Sequence, residues 1–191
     1  MPTVFSHAAV PMAVGLGLGR TAVSERLLAA GVVASMLPDA DVLAFRFGIP
    51  YAAQLGHRGF THSLVFAALV SIVGSLTHQM LRSRFLPTFF FLFAATASHG
   101  ALDALTNGGL GVAFLWPFSA ERYFAPLQLI RVAPLSVGKL LSARGAAVLL
   151  SELQWVWMPC VAVGLTLAAV RRRGMAARFA ASHRGGSPDA R

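Results

Sequence analysis

The chain is poor in charge and almost without cysteine. Only 12% of its 191 residues are Asp, Glu, Lys or Arg, about half the share of a typical soluble domain. With 56% hydrophobic residues, a mean hydropathy of +0.66 and recurring long apolar runs, this excludes an ordinary water-soluble core and points to the bilayer. The single cysteine, Cys160, excludes an intramolecular disulfide and a cysteine-based zinc site. A bound metal would have to be held by histidine and carboxylate. No basic stretch precedes the first apolar run, so no cleavable signal peptide is expected. Gly15, Gly17 and Gly19 follow no strand pattern, and no acidic residue follows them at the required distance, so they are not read as a nucleotide fingerprint. No internal repeat is present.

What the chain does have is a set of apolar runs separated by short polar stretches. Residues 4–19 are apolar, with small residues at alternate positions that let another helix approach closely. Ser24 caps a second helix over 25–37 that is expected to stop at Pro38. These first two helices, about 12–14 residues each, are short for a full span. A polar connection over 38–61 follows, long enough to be read as functional. Residues 62–81 and 85–105 read as an antiparallel pair of long helices, with Pro87 tolerated in the first turn of the second. Residues 110–148 are mixed, with the aromatic and arginine character of a membrane interface at Trp116, Arg122 and Tyr123. A last span is expected over 149–170. The domain reading is therefore a membrane-embedded unit, 1–170, followed by a basic tail without regular structure, 171–191.

The polar residues are sorted between the helix ends. Counted alternately, His7, Asp39, Asp41, His57, His62, His99 and Asp103 fall on one side of the bundle. Arg20, Arg26, Arg82, Arg84 and the Arg171-Arg172-Arg173 run fall on the other. His62 to Arg82 corresponds to about 30 Å of helix and Arg84 to Asp103 to about 28 Å, so a hairpin returns Asp103 to the level of His62. His99 and Asp103, four residues apart, share one helix face. Asp39 and Asp41 form a short carboxylate pair, and His57 and His62 flank Gly59. Taken singly, each pair also fits a cap, a turn or an ion pair. Together they offer enough donors for one or two divalent ions, zinc most naturally and manganese as an alternative. An ion there lowers the pKa of its water towards about 7, with Asp41 as general base and Arg58 as an anion clamp. His78 and His183 fall outside this set. The basic tail reads as a cytoplasmic, positive-inside segment rather than a nucleic-acid site, which puts the polar site on the extracytoplasmic side.

Ser6-His7, Leu37-Pro38-Asp39-Ala40-Asp41, the run from His57 to Ser63, the run from Ser98 to Asp103, and Trp116-Pro117-Phe118-Ser119 together resemble the motif series of the YdjM-like family of bacterial membrane-bound metal-dependent hydrolases. The resemblance covers residues 5–123, in order. It implies a metal-dependent hydrolase of the inner membrane, and through the family's distant similarity to zinc-dependent phospholipase C and P1-type nucleases it implies a phosphoester substrate. The glutamate ligand of those soluble enzymes has no counterpart among the motifs. The expectation is an all-α integral membrane bundle of four to five helices with a metal site at one end. It would act on a small-molecule or lipid substrate at the bilayer. The alternative is a non-enzymatic membrane protein with a structural or transport metal site.

Overall fold

The computed structural model describes residues 1–134 and 137–184. A turn of 3-10 helix, Val4–Ala8, leads into α1, Ala9–Leu18. The cap read from the sequence starts α2: the Ser24 hydroxyl accepts the Leu27 N–H at 3.1 Å, and α2 runs Glu25–Met36. Pro38 does not end the helical path. The chain continues as 3-10 helix over Leu37–Phe47, with Pro38 in the first turn, where a missing N–H leaves no bond unmade. Glu25–Phe47 thus forms a 23-residue stretch long and apolar enough to cross a membrane. The α-helix itself ends at Met36, beside the expected stop at Pro38, while the helical path runs on.

The third helix is shorter than expected. The Ser63 hydroxyl caps α3, Leu64–Leu76, but Thr77 ends it by donating to the Gly74 carbonyl at 2.8 Å. At 13 residues, α3 rises about 20 Å and does not reach the span length expected for 62–81. α4, Phe85–Ala104, fulfils the reading of a long return helix. A single turn, α5 (Val137–Leu140), precedes α6 (Ala143–Glu152), a π-helical turn at Leu153–Trp157, and α7, Met158–Arg184. This last path begins earlier than the expected residue 149. It is apolar enough to span a membrane, and its helical continuity covers 143–178. The segment from Arg171, expected to lack regular structure, remains helical through Arg184, as its Ala, Arg and Met content favours. The end of that tail, 185–191, lies outside the described residues, as does the side chain of His183.

Among the described residues the architecture is all-helical; two isolated backbone bridges, Thr106 with Ile130 and Val112 with Tyr123, tie the irregular segment after α4. α4 is the central helix, with α2 and α3 packed on it, while α1 lies along α7. Leu27, Phe91 and Leu92 form one buried cluster, and Ala9, Leu102, Ile130 and Val156 another. The small residues of α1 do allow close approach: a Cβ on Gly17 would lie 2.8 Å from the Gly164 carbonyl oxygen of α7. In lipid such close contact, rather than exclusion of water, supplies much of the association energy. Val73, Leu76 and Leu165 project outward, each at least 65% exposed, as lipid-facing residues do. At one end of the bundle Arg20, Arg26 and Arg82 line a common cavity, with Arg171 against Gly19. The polar residues gather at the other.

Candidate metal centre

Four side chains from three parts of the chain meet there. Asp39 comes from the 3-10 helix after α2, His62 from the turn before α3, and His99 and Asp103 from successive turns of α4. One ligand atom from each lies within 4.8 Å of all the others. His99 Nε2 is 3.1 Å from His62 Nε2 and 3.3 Å from Asp39 Oδ1. His62 Nε2 is 3.3 Å from Asp103 Oδ2 and 4.0 Å from Asp39 Oδ1. His7 joins from the N-terminal turn: its ring stacks on His99 with centroids 3.6 Å apart. Its Nε2 stands 3.8 Å from Asp103 and 3.9 Å from Asp39. Donors that share an ion at about 2.0–2.2 Å are separated by about 3–4 Å; the inner four fit that spacing, and His7 stands at their edge, against the other oxygens of Asp39 and Asp103.

The chemistry of the donors makes the same point. His99 Nδ1 lies 2.7 Å from the Ser35 carbonyl, which can only accept, so the ring proton sits on Nδ1 and Nε2 presents a lone pair. His62 Nδ1 faces the Asp41 carboxylate at 3.2 Å, which orients that ring in the same sense. Two imidazole lone pairs therefore meet two carboxylates in a buried space. Neither ring nitrogen of His7, neither oxygen of Asp39 and not Oδ1 of Asp103 has a hydrogen-bond partner in the protein, while Asp103 Oδ2 faces the Arg58 Nε at 3.0 Å. Two buried carboxylates among three imidazoles need positive charge, part of which Arg58 supplies to Asp103. Without metal a proton fills part of that need: burial alone would lower the pKa of His62, but its contacts with Asp103 and Asp41 raise it to about 9.

Asp41 and His57 stand one layer out. Asp41 Oδ1 is 2.6 Å from His57 Nδ1, and Oδ2 accepts the Arg58 N–H at 3.2 Å and the Thr61 hydroxyl at 2.7 Å. Asp41, His57 and His62 also have the spacing of a metal group. That grouping shares the His62 ring with the inner four, and one imidazole serves two ions only by losing both ring protons. The hydrogen-bonded triad therefore accounts for these residues with one ion. Arg58 is wholly buried. Its backbone is left-handed, with φ of 64°, a conformation that costs a non-glycine residue roughly 1 kcal/mol. Next to it a Cβ on Gly59 would lie 2.1 Å from the Gln54 carbonyl oxygen. This tight turn sends the guanidinium inward. Nε is 3.0 Å from Asp103; the two Nη groups donate to the Gly108 carbonyl at 2.8 Å and the Thr106 hydroxyl at 2.9 Å. The expected clamp on a substrate anion does not fit this position, because the group is enclosed and committed to the protein.

Comparison with known proteins places the whole assembly. Residues 1–176 match the family model of the YdjM inner membrane protein. The chain belongs to the YdjM inner membrane protein family. It is also 49% identical, over 160 residues covering 83% of this chain and 92% of the relative, to the inner membrane protein YbcI of Escherichia coli strain K12. No solved structure matches the chain. As a YdjM family member it is an inner membrane protein, in keeping with its apolar helices.

The structure of this YdjM family chain thus brings Asp39, His62, His99, Asp103 and His7 together and sets Asp41, His57 and Arg58 around them. His78 is elsewhere, 3.1 Å from the Ser83 carbonyl. Several supporting residues escaped the sequence reading. The Ser35 carbonyl and the Thr106 hydroxyl carry no sequence signal. Glu152 does, as a carboxylate inside an apolar run. It is buried and accepts the Thr3 N–H at 2.5 Å, the Thr3 hydroxyl at 2.6 Å and the Ser6 hydroxyl at 2.7 Å. Trp157 Nε1 also donates to Ser6, at 3.1 Å. These bonds fix the segment that carries His7. Arg122 steadies the other side, donating to the carbonyls of His57 and Ala53, each at 3.0 Å.

Proposed function

We propose that the protein is a membrane-bound, metal-dependent hydrolase whose single divalent ion, zinc by donor type, is held by Asp39, His62, His99 and Asp103 with His7 as a fifth donor. The observation that carries this reading is the convergence of Asp39, His62, His99 and Asp103 at the spacing of ligands to one ion, with both oxygens of Asp39 and Oδ1 of Asp103 lacking a hydrogen-bond partner. When bound, the ion supplies a Lewis acid and an activated water at neutral pH. Around it Asp41 keeps the His62 proton on Nδ1, and the Ser35 carbonyl does the same for His99. Arg58 holds Asp103 and offsets part of the negative charge gathered there. Asp41, filled by His57, Arg58 and Thr61, acts as an orienting group. The general-base role falls to Asp39, whose oxygens accept no hydrogen bond and which borders a cleft between the N-terminal segment and the 3-10 helix. A phosphoester is the substrate class that the family resemblance favours. The arginines at the opposite helix ends, Arg20, Arg26 and Arg82, support a metal centre outside the cytoplasm and a C-terminus inside.

One observation favours a second reading. Every donor is at most 7% exposed, as in a closed structural site. Elemental analysis of purified protein, beside Asp39→Asn and His99→Ala, together with phosphodiester hydrolysis on the same samples, separates the two. A hydrolase retains about one ion per chain and loses metal and turnover together in both variants. Metal without turnover on any of a phosphodiester series supports the structural site, and no metal after reconstitution overturns both.

A further inference from the structure

The cleft beside Asp39 has a volume of 460 Å³, within the range of about 300–1,000 Å³ of small-molecule sites. Its walls come from three places: Val4 in the N-terminal turn, Val42 and Phe45 in the 3-10 helix, and Ala133 and Leu140 beside α5. Thr3 also lines it, but the Thr3 hydroxyl is spent on Glu152 at 2.6 Å, leaving its methyl as wall. Among the described residues of the lining, Asp39 carries the one acidic side chain, and Met1, whose amine is the N-terminus and lies in the field of Asp103 and Asp39, lines it too. Asp39 is 6% exposed and neither of its oxygens has a partner. The cleft is thus a largely apolar trough whose polar groups are Asp39, a donor of the candidate metal centre, and the nearby Met1 amine. Around it the surface is itself apolar: Phe5 is 67% exposed, Leu43 56% and Phe47 83%, residues that favour an acyl environment over water. The apolar grooves between α1 and α7 and among α2, α3 and α4 have no carboxylate on their linings.

We propose that this cleft receives the hydrocarbon chain of an amphiphile drawn from the bilayer, with its anionic headgroup at Asp39, so that the substrate class is a long-chain rather than a small polar ester. This rests on the metal-centre reading, because an anionic headgroup beside a bare carboxylate would be repelled. With the ion in place the same position attracts it, while the trough accepts the chain along Val42 and Phe45. Beyond Asp39, Thr3 and the N-terminus the described walls are hydrocarbon, so chain length sets much of the selectivity.

Binding of ethyl phosphate and octyl phosphate to zinc-loaded protein in one detergent provides the test. Wild type is compared with Val42→Trp and Leu140→Trp, which narrow the trough from opposite walls without touching a donor. Zinc content is measured on every sample. The expected result is equal zinc in all three proteins, ethyl phosphate bound alike, and octyl phosphate bound about tenfold or more weakly by both variants. Comparing proteins in the same detergent cancels partitioning into the micelle. Equal zinc with no selective loss of octyl phosphate overturns the cleft assignment and leaves the metal centre standing. Failure of wild type to take up zinc overturns the metal centre and the cleft together. Where a variant loses its zinc, octyl phosphate carrying a terminal diazirine is used on wild type. Labelling at Val4, Val42, Phe45 or Leu140 supports the proposal, and labelling confined to other surfaces rejects it.

Discussion

The side chains that surround the ion ligands set how tightly a metal can be held. Asp41 touches no inner donor except the far nitrogen of His62, 3.2 Å away, so its loss should loosen the ligand set without removing a member. Asp41→Asn should weaken zinc binding by about 10–100-fold, measured by competition with a chelator, whereas Asp39→Asn or His99→Ala should abolish stoichiometric binding. Arg58 works differently. Its charge is buried against Asp103 with an ion-pair distance of 3.0 Å, and truncation leaves that carboxylate among uncompensated neighbours. Arg58→Ala should lower stability by about 3–5 kcal/mol, read from unfolding in a detergent titration. Arg58→Lys should recover only part, since an ammonium cannot reach Asp103, Thr106 and Gly108 as a planar fork does.

Among the elements, the N-terminal turn is the one that depends most on a distant partner. Val4–Ala8 is a single stretch of 3-10 helix, too short to hold its own geometry. It is pinned through Thr3 and Ser6 to Glu152, at the junction of α6 and the π-helical turn. Hydrogen bonds to a charged group contribute about 1.5–3 kcal/mol each, so the pin outweighs the weak local preference. Glu152→Ala should speed hydrogen exchange over residues 3–8 and weaken metal retention through His7, while exchange within α3 and the middle of α4 stays as in wild type. Equal exchange at the N-terminal turn in variant and wild type would show that α1, packed on α7, holds His7 without help.

For the molecule as a whole, the arginines at the helix ends and the candidate donors occupy opposite ends, while Arg58 and Arg122 lie with the donors. Arg20, Arg26 and Arg82 share one cavity, while the five inner donors converge from the other ends of the same helices. Positive residues stay on the cytoplasmic side, so a reporter that works only in the cytoplasm, fused after Arg191, should be active, and one that works only outside should be silent. The reverse pattern would place the metal centre in the cytoplasm. The α7 extension past Val170 carries Arg171, Arg172 and Arg173 on a helix, which projects the basic segment away from the apolar span.

The all-helical membrane class and the gathering of Asp39, His62, His99 and Asp103 at one end of the bundle were legible in the sequence, because hydropathy, helix caps and the four-residue spacing of His99 and Asp103 are local properties. Helix lengths were less legible: a 3-10 helix carries the path on past Pro38, and Thr77, whose hydroxyl donates back to the Gly74 carbonyl, follows the early end of α3. The ranking of the donors was not local at all. Nothing in the run from His57 to Ser63 distinguishes His62, which faces His99 and Asp103, from His57, which faces Asp41. Nor does the sequence tell that Arg58 turns inward. Those assignments depend on the direction each side chain takes once α4, the 3-10 helix and the left-handed turn at Arg58 are packed together, and direction over a few ångströms separates a ligand from the group that steadies it.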